Sequence, residues 1–165
     1  MVIWILGKSG VGKTFYATKV FNYFKNKNKK IFLIDGDEFR KYISNDLGYS
    51  KKDRKINTLR IRNFCNYLVN EDFIAIAAIQ SIFPAIQREN KKIFKKYIQI
   101  NIRPKNDEIA YKKSYFFKKN IKRNIVGKDL KFSPIKGDLN IINDHKNYKM
   151  NLKLILDVIR KKSIK

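Results

Sequence analysis

The stretch that decides the fold runs from residue 2 to residue 14 and reads VIWIL followed by GKSGVGKT. The apolar part predicts a buried strand, and the second part matches the phosphate-binding pattern G-x-x-x-x-G-K-[ST]. Glycines let backbone N–H groups turn toward a bound phosphate, and the N-terminus of the following helix favours negative charge. The sequence therefore predicts a phosphate-binding loop made of Gly7, Lys8, Ser9, Gly10, Val11, Gly12, Lys13 and Thr14. A chance glycine-rich turn is the alternative, and the strand and helix patterns on either side argue against it.

Two side chains at the end of this loop carry the expected chemistry. Lys13 is expected to reach the β- and γ-phosphates of a nucleoside triphosphate, and the Thr14 hydroxyl is expected to ligate Mg²⁺. The loop thereby predicts the phosphate donor, but it leaves the acceptor open.

Apolar runs alternate with amphipathic stretches along the rest of the chain. The runs at 31–34, 73–79, 97–102 and 139–142 predict four more strands. We expect the first of these to be buried on both faces and to lie next to the loop strand. The alternation predicts an α/β fold of the P-loop NTPase type, a three-layer sandwich in which a parallel sheet of about five strands has helices on both faces.

Length and composition favour one soluble domain, residues 1–165, with a small basic lid over residues 106–137. No run approaches the roughly 20 apolar residues of a membrane span, and no charged leader precedes the first strand. These features predict a cytoplasmic protein without a membrane partner. Cys65, the single cysteine, is predicted to be a buried packing residue. A homodimer is one possible assembly.

The net charge of +24 points toward a nucleic acid as a partner, and with it toward a nucleic-acid-binding NTPase or a polynucleotide kinase. However, 30 of the 38 basic residues are lysine, and isoleucine and asparagine are also abundant, as a low-GC coding bias would produce. Lysines interleaved with apolar residues along helices also cover solvated faces without forming a binding patch. We therefore favour a small-molecule acceptor over a nucleic acid.

The turn Asp35-Gly36-Asp37 follows the second predicted strand and places carboxylates at its carboxyl end. A carboxylate there could orient Mg²⁺ or take the proton from an attacking hydroxyl, which is the small amount of chemistry that phosphoryl transfer asks of a protein. The alternative is an Asp-Gly turn that only caps a helix.

The sequence resembles the adenylylsulfate kinases in several motifs. Residues 34–40, IDGDEFR, match D-G-D-x-x-R, and residues 46–57, DLGYSKKDRKIN, resemble D-L-G-F-S-x-x-D-R-x-E-N. Three shorter segments resemble further family motifs and lie at 97–102, 124–129 and 137–141. The resemblance implies transfer of the γ-phosphate of ATP, with Mg²⁺, to the 3′-hydroxyl of adenosine 5′-phosphosulfate or a related nucleotide.

The resemblance also assigns roles to residues. Lys13 and Thr14 would serve ATP and the metal, and Asp35 would act at the acceptor hydroxyl as a base or as a metal-linked orienting group. The residues implied to hold the acceptor are Asp37, Arg40, Tyr49, Arg54, Asn57, Ser81 and Lys112. Among these, Arg40, Arg54 and Asn57 would hold the anionic end of the acceptor, and Tyr49 would stack on its base. Simpler alternatives are a solvated helix position for Arg54 and a core contact for Tyr49.

Two parts of the family pattern are altered here. The segment after the third strand reads QSIFP instead of I-S-P-Y-R, so the expected arginine is missing and Arg88 is a candidate substitute. In the lid motif R-D-x-K-G-L-Y, Lys112 and Tyr115 align with the lysine and tyrosine, but Ile109 and Ala110 replace the Arg-Asp pair.

These two departures from the family pattern bear on the identity of the acceptor more than on that of the phosphate donor. The S-I-F-P sequence resembles a branch of the family in surface-polysaccharide pathways that includes cytidine diphosphoramidate kinase. Adenylylsulfate and a cytidine nucleotide therefore both remain candidate acceptors. A catalytically degenerate nucleotide-binding protein is a further alternative.

Overall fold

The computed structural model describes residues 1–27, 29–114, 117, 123–144 and 146–163. In chain order the elements are β1 (Val2–Leu6), α1 (Lys13–Lys25), β2 (Ile31–Asp35), α2 (Gly36–Tyr42), α3 (Lys51–Asn70), β3 (Ile74–Ile79), α4 (Pro84–Ile93), β4 (Tyr97–Pro104), α5 (Asp107–Lys112), β5 (Leu139–Asn143) and α6 (Tyr148–Ser163). The five strands form one parallel sheet in the order β2-β3-β1-β4-β5. The predicted fold class, a P-loop NTPase-type α/β sandwich, is confirmed.

The strand β1 lies at the centre of the sheet, and its side chains define the three layers. Because successive side chains of a strand point to opposite faces, Ile3 and Ile5 pack with residues of α1 and α6. Trp4 and its two alternate neighbours on β1 pack on the other face, with residues of α2 and α3. The strand is paired on both edges, and all five of its side chains are fully buried. The apolar run that precedes the loop is thus the middle of the core.

The position of β2 differs from the prediction in two ways. This strand pairs with β3 and lies at the edge of the sheet, so it is not the neighbour of β1. It is also not buried on both faces, since Phe32 is 41% exposed and packs edge-to-face on Phe64 of α3. The later strand β3 inserts between β1 and β2, which the order of strands along the chain does not reveal. A continuous apolar run therefore does not mean that both faces of a strand are buried when that strand lies at the edge of the sheet.

The helix α3 begins with a capping box. Ser50 Oγ accepts a hydrogen bond of 3.2 Å from the Asp53 backbone N–H. The Asp53 carboxylate in turn accepts one of 3.3 Å from the Ser50 backbone N–H, which completes the capping box. Cys65 is buried on the core face of this helix, and burial raises the pKa of its thiol to about 12. This well-capped helix presents Arg54 and Asn57 on its first two turns.

The predicted lid is only partly described. Its first part forms the short helix α5, and Tyr115 lies outside the described residues. The segment 124–129 is a loop with Gly127 at φ 93°, and it contributes to the interior because Ile125 and Val126 are buried. Within the described part of the chain, no helix has the length and apolar character needed to span a membrane.

Candidate active site

The phosphate-binding loop turns sharply between β1 and α1. Gly10 and Gly12 have φ of 80° and 92°, in the region that glycine adopts most readily. A Cβ on Gly10 would lie 2.0 Å from the carbonyl oxygen of Ala110, so α5 packs directly on the loop. Lys8 also joins these two parts, since its Nζ lies 2.8 Å from the Asp107 carboxylate. The loop is therefore held by the sheet beneath it and by α5 above it.

Lys13 is placed by the loop itself. Its Nζ donates a hydrogen bond of 2.9 Å to the carbonyl oxygen of Lys8. Burial lowers the pKa of Lys13 from its ordinary value, and the negative charges of Asp37 and Asp35 oppose that shift. A buried ammonium beside two carboxylates is well placed to gain from a polyphosphate, which would add negative charge at the same point.

Asp35 makes two kinds of contact at the end of β2. Its Oδ1 accepts from the backbone N–H groups of Asp37 and Glu38, at 2.9 and 3.4 Å, and so caps α2. Its Oδ2 accepts a hydrogen bond of 2.6 Å from the Thr14 hydroxyl. From the sequence, capping of α2 and a contact at the phosphate-binding loop were alternatives for Asp35, and its carboxylate makes both contacts in the structure.

The pair of Thr14 and Asp35 fits a magnesium ion. Mg²⁺ prefers oxygen ligands and is commonly held by one or two carboxylates together with substrate phosphates and waters. In the described ranges, no cluster of three or more His, Cys, Asp and Glu side chains could hold a metal by itself. A metal bound here would therefore depend on phosphate oxygens for the rest of its coordination.

Asp37 lies beside this pair on the first turn of α2. Burial raises the pKa of Asp37 above its ordinary value, although the positive charge of Lys13 opposes the shift. The Asp37 carboxylate is thus easier to protonate than a solvated one, and it faces the cavity next to Asp35 and Arg40.

A cluster of two arginines and one tyrosine lies opposite the loop. The guanidinium carbons of Arg40 and Arg54 lie 4.9 and 5.5 Å from the centre of the Tyr49 ring. Arg40 Nη1 donates to the Gly48 carbonyl oxygen at 2.5 Å. Arg54 Nε donates to the Tyr49 carbonyl oxygen at 3.1 Å. These contacts fix two cations and an aromatic face in one place.

Burial of these arginines favours an anion beside them on electrostatic grounds. Arg54 is only 5% exposed, so the alternative of a solvated helix position is wrong. Burial, and secondarily the charge of Arg40, lower the pKa of Arg54 to about 10. Burial likewise lowers the pKa of Arg40. Two partly desolvated cations of like charge gain free energy when an anion is placed between them.

A single cavity joins the loop to this cluster. It is lined by Ser9, Lys13, Thr14, Asp35, Gly36, Asp37, Arg40, Tyr49, Arg54, Asn57, Thr58, Ile61, Ala78, Ile79 and Gln80. Three residues of the predicted donor loop, Ser9, Lys13 and Thr14, and most of the predicted acceptor residues therefore share one space at the carboxyl ends of the parallel strands, where ligands bind in open α/β sheets.

Three residues singled out in the sequence lie elsewhere. Ser81 is fully buried behind the cavity lining. The exposed Lys112 pairs with Glu108 on α5 at 2.8 Å. Arg88 is exposed on α4 and is not among the residues that line this cavity. The structure does not bring these three side chains to the cluster of Arg40 and Arg54.

Two features of the site have no motif in the sequence. Gln80 enters the cavity from the residue after β3, and only its place at the carboxyl end of a strand could have indicated it. Behind the loop, Asn143 Nδ2 donates to the Val11 carbonyl oxygen at 3.0 Å, while Asn143 Oδ1 accepts from the Tyr16 hydroxyl at 3.0 Å. Asn151 of α6 donates to the same hydroxyl at 3.2 Å. This buried network connects the loop to β5 and α6.

Comparison with known proteins gives a consistent result. The model of the adenylylsulphate kinase family matches residues 1–135. Cytidine diphosphoramidate kinase of Campylobacter jejuni subsp. jejuni serotype O:2 is 30% identical over 165 residues, which cover 98% of this chain and 95% of that protein. The adenylyl-sulfate kinase of Pseudomonas aeruginosa is 35% identical over 92 residues, which cover 56% of this chain and 47% of that protein.

The fold is also that of solved adenylylsulfate kinases. The structure of the Mycobacterium tuberculosis APS kinase in complex with AMPPNP and APS is similar with a TM-score of 0.84 over 96% of both chains, at 18% identity. A hexameric APS kinase from Thiobacillus denitrificans is similar with a TM-score of 0.71, over 97% of this chain and 28% of that one. With the family model matching most of its length, this chain belongs to the adenylylsulphate kinase family of phosphotransferases.

Proposed function

We propose that this protein is an ATP-dependent kinase that transfers the γ-phosphate of ATP to the 3′-hydroxyl of a small nucleotide. The observation that carries the proposal is the single cavity that joins Lys13, Thr14 and Asp35 to the cluster of Arg40, Tyr49 and Arg54. A phosphoryl donor and an anionic aromatic acceptor could therefore face each other inside it.

The donor half follows from the loop. The backbone N–H groups between Gly7 and Gly12 would hold the phosphates, and Lys13 would contact the β- and γ-phosphates. Thr14 and Asp35 would hold Mg²⁺, which neutralises the charge that develops on the transferred phosphoryl group.

The acceptor half follows from the cluster. Arg40 and Arg54 would bind the anionic groups at the 5′ end of the acceptor, and Tyr49 would stack on its base. Asp35 would act on the 3′-hydroxyl in one of two ways. It would take the hydroxyl proton as the base, or it would hold the metal that orients the hydroxyl. The acceptor oxygen then forms a bond to the γ-phosphorus, the bond to the β–γ bridging oxygen breaks, and ADP leaves.

Two acceptors are proposed, adenylylsulfate and cytidine diphosphoramidate. The second is favoured by one specific observation: the relative that acts on it by name matches almost the whole of this chain, whereas the matched regions of the adenylyl-sulfate kinases cover 48% to 62% of it. The altered segment at residues 80–84 and the altered lid motif fit an acceptor other than adenylylsulfate.

The test is direct. The protein is incubated with Mg-ATP and either acceptor, and both ADP and the 3′-phosphorylated product are measured. We expect transfer to one acceptor with a clear preference over the other. ATP binding without transfer to either one would contradict the proposal and favour a catalytically degenerate nucleotide-binding protein.

A further inference from the structure

The turn 124–130 lies between the two halves of the candidate site. On one side, the main-chain carbonyl oxygen of Asn124 accepts a hydrogen bond of 2.9 Å from Arg54 Nη2. On the other side, Gly127 packs on the phosphate-binding loop, where a Cβ on it would lie 2.8 Å from Lys8 Cε. The turn therefore contacts both the arginine cluster and the loop, although none of its residues lines the cavity between them.

The turn is held in one shape by its own backbone and by the core. Ile125 and Val126 are buried. The Ile125 N–H donates to Asp129 Oδ2 at 2.9 Å, and the Asp129 N–H donates back to the Ile125 carbonyl oxygen at 2.8 Å. The Gly127 N–H donates to the Leu130 carbonyl oxygen at 2.7 Å. The carbonyl group of Asn124, at the start of this turn, is thereby fixed relative to the core.

Asn124 adopts a backbone conformation that most residues avoid. Its φ is 58°, in the left-handed region, which asparagine and aspartate tolerate better than other residues with a side chain. Asn124 is exposed, so packing of its side chain in the core does not account for this conformation. The conformation instead aims its carbonyl group at Arg54. Strained backbone of this kind concentrates at functional sites, which makes the contact a candidate for a role there.

The contact with Asn124 is the shortest of the printed hydrogen bonds that orient Arg54. Nε donates to the Tyr49 carbonyl oxygen at 3.1 Å, and Nη1 donates to Gln80 Oε1 at 3.4 Å. A planar guanidinium group that is held through several of its nitrogens keeps one orientation, so its N–H groups point in fixed directions. Because a carbonyl oxygen is neutral, it stabilises the cation without cancelling the charge that an anionic ligand would meet.

We propose that Asn124 is a positioning residue for the acceptor: its left-handed conformation places a main-chain carbonyl that holds the Arg54 guanidinium in the orientation that binds the acceptor's anionic end. The inference rests on the proposed function and adds to it a residue outside the cavity. The competing explanation is that Asn124 only shapes the turn and contributes to stability.

Substitutions at residue 124 change this conformation while the cavity lining stays intact. Asn124→Gly keeps the left-handed conformation, because glycine adopts positive φ readily. Asn124→Pro cannot adopt it, since the proline ring fixes φ at about −65°, and the carbonyl group is then redirected.

Asp72→Pro is the matched control for backbone strain. Asp72 has φ of 64° and lies in the turn before β3, at the opposite end of the sheet from the cavity. Its N–H also donates to the Val69 carbonyl oxygen at 3.2 Å, a hydrogen bond that proline removes. Asp72→Pro should therefore destabilise the protein at least as much as Asn124→Pro, without reaching Arg54.

The experiment measures acceptor binding and turnover separately. The unaltered protein and each variant are saturated with Mg-AMPPNP and titrated calorimetrically with adenylylsulfate and with cytidine diphosphoramidate. For the acceptor that the unaltered protein binds more tightly, we expect Asn124→Pro to bind about tenfold more weakly, since a hydrogen bond that orients a charged group is lost. Asn124→Gly and Asp72→Pro should stay within about twofold of the unaltered protein.

Turnover should show the same selectivity. In Asn124→Pro the acceptor KM should rise by about the same factor, with the ATP KM and kcat close to those of the unaltered protein, because Arg54 would bind the end of the acceptor that does not react. A purely structural role would lower stability without this split between the two substrates.

Several outcomes would overturn the inference. These are unchanged acceptor affinity in Asn124→Pro, an equal loss in Asn124→Gly, and an equal loss in Asp72→Pro. If Asn124→Pro does not fold, Asn124→Val takes its place, because a β-branched residue is a rare outlier in the left-handed region.

Failure of the inference and failure of the proposed function give different results. Transfer by the unaltered protein, with the acceptor KM unchanged in Asn124→Pro, overturns only the role of Asn124. Acceptor binding without transfer, with the tenfold loss in Asn124→Pro, overturns only the kinase reaction. Absence of binding of either acceptor to the AMPPNP-loaded protein overturns the inference, and together with absence of transfer it also overturns the proposed function.

Discussion

At the scale of single residues, Asp35 combines a structural contact with a contact at the loop. One carboxylate oxygen caps α2, and the other accepts from the Thr14 hydroxyl. A substitution at this position therefore changes stability and chemistry together unless it is chosen to separate them.

Asp35→Ala is expected to abolish transfer while ATP still binds, because Lys13 and the loop amides remain. Loss of the cap should also lower the free energy of unfolding by about 1 kcal/mol. Asp35→Asn is the matched control, since an amide oxygen can still cap α2 but cannot act as a carboxylate. We expect Asp35→Asn to be close to the unaltered protein in stability and at least about 100-fold slower in turnover. Turnover retained in Asp35→Asn would remove the carboxylate from the mechanism.

Asp37 predicts a pH dependence of stability. Burial raises its pKa in the folded protein above the ordinary value of 3.8. The folded state therefore holds this proton to higher pH than the unfolded state, so the carboxyl group costs stability as pH rises through that window. Asp37→Asn lacks this cost. The gain in unfolding free energy of Asp37→Asn over the unaltered protein should grow as pH rises above about 4 and then level off, as denaturant titrations at several pH values can measure. A gain that falls with rising pH would contradict the assigned shift.

At the scale of secondary-structure elements, the loop depends on contacts from β5 and α6, which follow it in sequence by more than a hundred residues. Asn143, at the end of β5, links the Val11 carbonyl oxygen to the Tyr16 hydroxyl. The Asn143 amide thus links β5 to the phosphate-binding loop and to α1, and we expect the shape of the loop to depend on it.

Asn143→Ala should destabilise the protein by about 1 to 3 kcal/mol, because it leaves a buried carbonyl and a buried hydroxyl with fewer partners. It should also weaken ATP binding, measured by calorimetry, since Val11 lies within the loop. Asn22→Ala, at an exposed position of α1, is the matched control and should change neither quantity appreciably. Unchanged ATP affinity in a folded Asn143→Ala would show that the loop holds its shape without β5.

At the scale of the whole molecule, the question is whether the net charge of +24 serves to bind a polyanion such as a nucleic acid. The candidate site uses only a few of these charges, since Lys13, Arg40 and Arg54 are the basic residues that line its cavity. A nucleic-acid partner would instead need many exposed contacts along its backbone.

We therefore expect oligonucleotide binding to be weak at physiological salt and to vary little with salt concentration. Fluorescence anisotropy with a labelled single strand and a labelled duplex, measured from 50 to 200 mM salt, provides the test. A steep linear fall of log affinity with log salt concentration would support a nucleic-acid-binding NTPase instead. The homodimer stays a prediction, which sedimentation of the same samples can check.

The sequence by itself determined the fold class and the donor half of the candidate site. The strand, loop and helix at residues 2–25 are local, so their pattern is legible from neighbouring residues and their spacing. The same holds for Cys65, which is buried as predicted. The motif resemblance also indicated Arg40, Tyr49, Arg54 and Asn57, which lie together in one cavity.

Only the tertiary structure decided the order of strands and the rest of the site. Insertion of β3 between β1 and β2 makes β2 an edge strand, and this depends on pairing between distant segments rather than on local pattern. For the same reason, the sequence did not indicate Gln80 or Asn143 and singled out Ser81, which is buried behind the lining. Whether a polar side chain meets a ligand depends on which elements pack around it, and that packing is decided by the burial of the whole sheet.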